Sequence, residues 1–348
     1  MTSPIGPTVE PLRWGFIGAG MVATAALGPA VHAARGAVLQ AAAARDLDRA
    51  LALGPKRAYN RYIDVLDDDD VDAVYISLSN EAHLPWTLAA LRAGKHVLCE
   101  KPLGLTAAEV DEMGAAAGDL LIVEASWYRW HPRIRIAQRR LAEIGPVRHV
   151  SAGFTFGGQL DGNYRLDPTR GGGALYDVGC YAVSACLWSI DRGLPNTVSA
   201  EWELAATGVD TDTRAIMRWS APGVGDAEAE IHVGITADES QWLVITGDEG
   251  TIEMRDAPYT SWKDDHTELV ITRSASMDRI QVAAVDPYRV MVEEFSSVVR
   301  GGPGWILPLA ESRMTAALID AARTSAALGG RTVQTGDADT MLRGRKSL

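Results

Sequence analysis

Most of the features that would tie this chain to a membrane, a nucleic acid or a metal are missing. No apolar stretch among its 348 residues is long enough to span a bilayer. The first residues are polar and proline-punctuated, so no secretory leader is expected. Cysteine is scarce: Cys99, Cys180 and Cys186 are the whole set. An odd count in a chain large enough to build its own core argues against a disulfide framework and for a reducing, cytoplasmic setting. Positive charge is in deficit. A formal net charge of -12 argues against a broad nucleic-acid surface and against anionic lipid. The acidic run at 67–70 has no matched ligand set, so no metal site is expected and the run reads as a solvated turn. Repeats and low-complexity segments are also absent.

What is present is a globular composition, 47% hydrophobic and 22% charged, in a length suited to two domains. Strand-like runs at 13–18, 37–44, 73–78, 96–99 and 120–124 alternate with helical patterns at 21–35, 46–53, 83–93 and 107–117. That alternation predicts a doubly wound parallel sheet, with a bend in the first helix at Pro29, which lacks an N–H. Beyond about residue 125 the pattern changes. A helix at 133–143 precedes alternating runs at 148–156, 198–205, 214–219, 227–234 and 242–246, then a GDEG turn and a strand at 251–254. These predict an open, largely antiparallel sheet, followed by helices at 290–299 and 310–327. The expected organisation is α/β, with a dinucleotide-binding domain over 10–126 and a substrate-binding and oligomerisation domain over 127–348.

The first chemical motif is Gly18-Ala19-Gly20-Met21-Val22-Ala23, which follows a strand and opens a helix. Gly18 permits the tight turn, Gly20 lets a pyrophosphate approach the backbone with Met21 and Val22 beside it, and Ala23 lets the helix pack closely on the strand. At the end of the second strand stands Arg45-Asp46. Arg45 suits a 2′-phosphate, which favours NADP(H). Asp46 reads as a helix N-cap, yet it could reach a ribose hydroxyl instead, which leaves NAD(H) open. A second motif, Glu100-Lys101-Pro102, is delivered by a strand to the carboxyl end of the sheet, where ligands bind in such folds. Lys101 would favour a neighbouring phenolate or developing negative charge, and the bond before Pro102 is a candidate for the cis form.

In order along the chain, GAGMVA, SNEAHLPW, AGKHVLCEKPLGLTAAEV, EASWYRWHPR and GGGALYDVGCY resemble the Gfo/Idh/MocA oxidoreductase family. The phrases LRWGFIG, AARDLDRA and PLAES look most like its dimeric dihydrodiol dehydrogenase and D-xylose dehydrogenase branch. The resemblance implies a Rossmann domain, a second α/β domain with an open sheet, a nicotinamide cofactor and a sugar-like substrate. It also implies that Ser79, Asn80 and His83 lie near the nicotinamide, although Ser79 replaces the family's usual proline. By the same resemblance, Glu100 and Lys101 join the cofactor site, and Asn163, Tyr164 and Arg165 lie near the substrate mouth. A polar surface loop is the plainer reading of that last stretch.

Asp177 and Tyr181 are four residues apart, which puts them on one face of a helix. Tyr181 beside Lys101 suits proton transfer at a substrate oxygen, because an ammonium lowers a phenol's pKa, and Asp177 suits holding a substrate hydroxyl. Gly171–Gly173 reads as a flexible approach to this helix. Trp127 and Arg129, with Tyr128, follow the last strand of the first domain and are candidates for the pocket wall, with core packing as the rival for the aromatics. The basic residues Arg133, Arg135, Arg139 and Arg140 read as a solvated helix surface or an interface. Cys180 reads as a small buried hydrophobe. An oxidoreductase acting on a secondary alcohol or hemiacetal of a sugar-like molecule is expected. Two rivals are a ketoreductase of nucleotide-activated deoxysugars and a dinucleotide-binding regulator without turnover. An uncovered sheet face would predict a homo-oligomer, a dimer or tetramer built through the second sheet.

Overall fold

The computed structural model describes residues 10–335 apart from 159, 161, 221 and 224, so Asp161 and residues 336–348 of the expected second domain lie outside the described residues. Six strands form the first sheet: β1 (Leu12–Ile17), β2 (Ala37–Ala43), β3 (Arg57–Tyr59), β4 (Ala73–Ile76), β5 (His96–Cys99) and β6 (Ile122–Glu124). They pair in parallel in the order β3-β2-β1-β4-β5-β6. Every residue of β4 and β6 is buried, as expected where helices cover both faces. The order reverses between β1 and β4, and this opens a crevice at the carboxyl ends of the strands. The short β3 was not expected, because three residues carry no readable period.

The first helix takes its expected bend as a wider turn. Ala23–Leu27 is π-helical, Gly28 donates to the Ala23 carbonyl, and Gly28–Ala33 continues as α-helix. The widened turn falls just before Pro29, where no N–H exists to keep the regular ladder.

The second sheet has nine strands: β7 (Val147–Thr155), β8 (Thr197–Leu204), β9 (Asp210–Trp219), β10 (Ala227–Gly234), β11 (Ser240–Gly247), β12 (Gly250–Met254), β13 (Thr267–Arg273), β14 (Ser276–Val282) and β15 (Val333–Gln334). Their order is β14-β13-β12-β11-β7-β10-β9-β8-β15, and every pairing but β7 with β10 is antiparallel. Along β10, Ala227, Ala229, Ile231 and Val233 face the core, while Glu228, Glu230 and His232 alternate with them. The core side packs on the helix Cys180–Ile190, which is buried along its whole length. The helices Pro287–Val299 and Leu309–Ala327 return to the first sheet. The Trp14 indole donates to Ser296 Oγ at 3.2 Å, and Asp320 accepts from the Ala107 N–H at 3.0 Å.

Two surface expectations are corrected. Arg133 is fully buried and donates to the carbonyls of Asp256 and Ala257 and to Ser261 Oγ, each at 2.8 Å. Arg135 pairs with Glu294 at 2.6 Å and Arg140 with Asp278 at 2.8 Å; of the four arginines, Arg139 is the exposed one. The acidic run is an ion-pair cluster. Asp68 is buried and accepts from Arg57 at 2.7 Å, and Asp70 pairs with both Arg13 and Arg57. Desolvation of the Asp68 carboxylate is offset by these bonds, which join β1 to β3.

Candidate active site

The crevice holds a cavity of about 850 Å³. Gly18 forms its floor with φ +99°, where a Cβ would meet the Ser77 carbonyl oxygen at 2.3 Å, so the turn requires glycine. Gly20, Met21 and Val22 line the cavity, and Ala23 is buried beneath them against the core. Arg45 and Asp46 line its outer end. Asp46 caps the helix Leu47–Leu51 by accepting from the Asp48 N–H at 3.0 Å, so part of its acceptor capacity is already used. Arg49 also lines this end and reaches back to the Ala19 carbonyl of the glycine turn. Arg49 was not expected here, although its place four residues after Arg45 was a usable signal. Arg45, Arg49, Lys101, Arg165 and Arg170 line the cavity against Asp46, Glu81 and Glu100. A chain of net charge -12 thus gathers cations here. Glycine-turn N–H groups at one end and guanidinium groups beside them are the donor set that a phosphorylated dinucleotide needs.

At the inner end, β5 delivers Glu100 and Lys101, and the Lys101–Pro102 peptide bond is cis, as expected. The Lys101 ammonium donates to the Asp177 carbonyl at 2.6 Å and to its carboxylate at 3.3 Å. Arg165 Nε donates to the other Asp177 oxygen at 2.5 Å. Burial pushes the Asp177 carboxyl up, but the two cations outweigh it and hold it below the usual carboxylate range. Burial opposes charge on Lys101 as well, and Asp177 more than restores it, so the ammonium is held charged. Asp177 therefore fixes the lysine in place as well as offering an acceptor.

Tyr181 lies one turn on, with the Lys101 ammonium 5.1 Å from its ring centroid. Its hydroxyl accepts from the Trp127 indole at 3.1 Å. The expected lowering of the phenol's pKa does not prevail. Burial pushes Tyr181 up, with Lys101 only partly offsetting it. The ring is buried among Tyr128, Phe154 and Tyr259, and that desolvation disfavours phenolate more than one cation favours it.

Gly171–Gly173 is buried and close-packed, not a flexible approach. A Cβ on Gly172 would lie 2.5 Å from the Arg165 carbonyl, and one on Gly173 would lie 2.1 Å from Asp210 Oδ1. Asp210 accepts from the Leu175 N–H at 2.8 Å, so the glycines let a β9 carboxylate cap the turn that carries Asp177.

Ser79, Asn80, Glu100, Tyr164 and Arg165 line the cavity, as do Leu78, Tyr62, Trp86 and Arg170, which were not expected there. Asn80 also donates to the Gly171 carbonyl at 2.8 Å. Asn163 caps the short turn Tyr164–Leu166. Asn163, Asp177 and Tyr181 are not among the residues that line the cavity, although Asp177 and Tyr181 meet Lys101, which does; His83, Arg129 and Trp127 are also off the wall. His83 is fully buried, with Nδ1 2.8 Å from the Pro102 carbonyl, and burial lowers its pKa, so it braces the cis turn. Arg129 is buried against Glu311 at 2.6 Å. Trp127 is buried behind Tyr181. Each had a polar group and a suitable chain position, but the partners that claim them are distant in sequence. Among the described residues, no group of three or more His, Cys, Asp or Glu is placed to hold a metal.

Residues 12–120 match the oxidoreductase family with an NAD-binding Rossmann fold, and residues 134–253 match the GFO/IDH/MocA C-terminal domain. The chain is 33% identical over 332 residues to the D-xylose 1-dehydrogenase (NADP(+)) 2 of Haloferax volcanii, covering 91% of this chain and 98% of that protein. It is 31% identical over 333 residues to the trans-1,2-dihydrobenzene-1,2-diol dehydrogenase of Mus musculus, covering 90% and 96%. Among solved structures, a 3-ketoreductase from Actinomadura kijaniata in complex with NADP and TDP-benzene superposes with a TM-score of 0.81 at 29% identity, covering 91% of this chain and 98% of that one. These matches, which together span most of the chain, place it in the Gfo/Idh/MocA family of oxidoreductases.

Proposed function

We propose that this oxidoreductase interconverts a secondary alcohol or hemiacetal and its carbonyl on a sugar-like molecule, with NADP(H) as the preferred cofactor and NAD(H) as the weaker one. A bound nicotinamide supplies the hydride acceptor or donor. The chain's own residues handle the proton and the orientation. Tyr181 gives a proton to the substrate oxygen in reduction and takes it in oxidation. Lys101 stabilises the phenolate this leaves, and Asp177 holds Lys101 while offering an acceptor to a substrate hydroxyl. The observation that carries the reading is the Lys101 ammonium, seated at once on Asp177 and 5.1 Å from the Tyr181 ring, at the inner end of a cavity that starts at the glycine turn. Arg45 and Arg49 at its outer end favour a 2′-phosphate. Tyr181→Phe is expected to lower turnover by roughly 100-fold or more while cofactor binding persists. Unchanged turnover overturns the assignment.

Arg165 and Arg170 at the cavity favour a second reading, in which the sugar carries a nucleoside diphosphate. A panel of free and nucleotide-linked sugars separates the two. The division near residue 126, a cytoplasmic setting and a homodimer through the outer face of the second sheet belong to the same proposal. That face carries a groove of about 440 Å³ lined by Ile216, His232 and Trp242, and a monomer by light scattering overturns the dimer.

A further inference from the structure

The Tyr181 oxygen has a hydrogen-bond partner of its own besides the neighbouring Lys101. Trp127 Nε1 donates to it at 3.1 Å, and both residues are buried. Trp127 is itself held in a fixed plane. It stacks on Tyr288 with centroids 4.5 Å apart and an 18° interplanar angle. Tyr288 meets the edge of Trp262, whose indole donates to Asp286 Oδ1 at 3.0 Å. The same Asp286 oxygen accepts from the Tyr288 N–H at 3.0 Å and caps the helix Pro287–Val299. The cap of a late helix thus fixes the stack that presents the indole N–H.

An indole nitrogen donates and cannot accept, whereas a phenol has one proton to give and lone pairs to receive. Trp127 fills a lone pair of Tyr181 and leaves its proton to point elsewhere. We infer that Trp127 is a positioning residue for proton transfer: its indole N–H holds Tyr181 as the donor toward the substrate oxygen and shares the negative charge once that proton has left. This rests on Tyr181 being the acid/base. Other groups act on the phenol without that bond. Lys101 and Arg165 favour its charged form, while Glu100 and the Cys180 thiol disfavour it. The phenols of Tyr128, Tyr259 and Tyr288 crowd it without relieving its burial.

The test is Trp127→Phe, which keeps the stack and removes the N–H. In the oxidation direction, the rising limb of kcat against pH is expected to move up by about 1 unit or more, read as kcat roughly 10-fold to 100-fold lower at any pH on that limb, as for a lost hydrogen bond to a charged group. KM for substrate and cofactor affinity are expected to change by less than about 3-fold, because only the charged phenol gains from the bond. Trp127→His, which restores a ring N–H, is expected to recover much of the limb. A readout without turnover covers the case in which the Phe variant does not fold. In the indole region of a nitrogen-15 spectrum of the intact protein, one Trp N–H signal is expected to move when Tyr181→Phe removes its acceptor. If none moves, the inference is overturned. If Tyr181→Phe abolishes turnover while Trp127→Phe leaves the pH limb in place, Trp127 is only packing and the acid/base reading survives. If Tyr181→Phe turns over normally, the reading beneath it fails instead.

Discussion

Replacing Lys101 with Met keeps the aliphatic stem and deletes the charge, and its effect can be worked from the geometry. The ammonium lies 5.1 Å from the Tyr181 ring centroid. At an effective dielectric constant of about 20, a unit charge at that range stabilises a phenolate by about 3 kcal/mol. That corresponds to roughly 2 pH units in the phenol's titration. Burial holds Tyr181 high even with Lys101 partly offsetting it, so removing the lysine is expected to push ionisation higher still. In Lys101→Met the rising limb of kcat against pH for oxidation is expected to move up by about 2 units, with kcat at neutral pH down roughly 100-fold. Asp177 keeps Arg165 at 2.5 Å, so its carboxylate stays paired and the fold is expected to survive. The assay is a steady-state pH profile on protein whose melting has been checked. A folded variant with an unmoved limb refutes the claim that Lys101 tunes Tyr181 and leaves the lysine as a substrate or cofactor contact alone.

Cofactor choice is expected to divide between two arginines. Arg45→Ala should raise KM for NADP(H) by roughly 10-fold to 100-fold and leave NAD(H) alone, since one guanidinium–phosphate interaction is lost. Arg49→Ala should weaken both cofactors, because Arg49 also holds the Ala19 carbonyl of the glycine turn; a variant pair with indistinguishable profiles contradicts this. Gly173→Ala puts a Cβ 2.1 Å from Asp210 Oδ1 at φ +120°. Overpacking and backbone strain together are expected to cost about 2–4 kcal/mol, and thermal unfolding should fall by roughly 5–10 °C. An unchanged melting temperature would restore the view of this triplet as a mobile loop.

Sequence pattern alone determined the parallel sheet, the glycine turn, the cis Lys-Pro candidate and the pairing of Asp177 with Tyr181. Each is written in short-range spacing: buried strands read as continuous apolar runs, glycine is needed where a Cβ cannot fit, and residues four apart share a helix face. Short or edge elements such as β3, β14 and β15 had too few residues or too little alternation to register. What only tertiary structure decided is which polar group meets which. Arg129 looks like pocket lining until Glu311 pairs with it, and Arg133 looks like a surface cation until the 256–257 carbonyls arrive from far along the chain. The glycine triplet looks flexible until Asp210 closes on it, and Trp127 looks like pocket lining until its indole is found on the Tyr181 oxygen. The direction of the Tyr181 shift belongs with these. A lysine nearby favours phenolate, but the cost of burial depends on every ring packed around the phenol, and those rings are brought together only by folding.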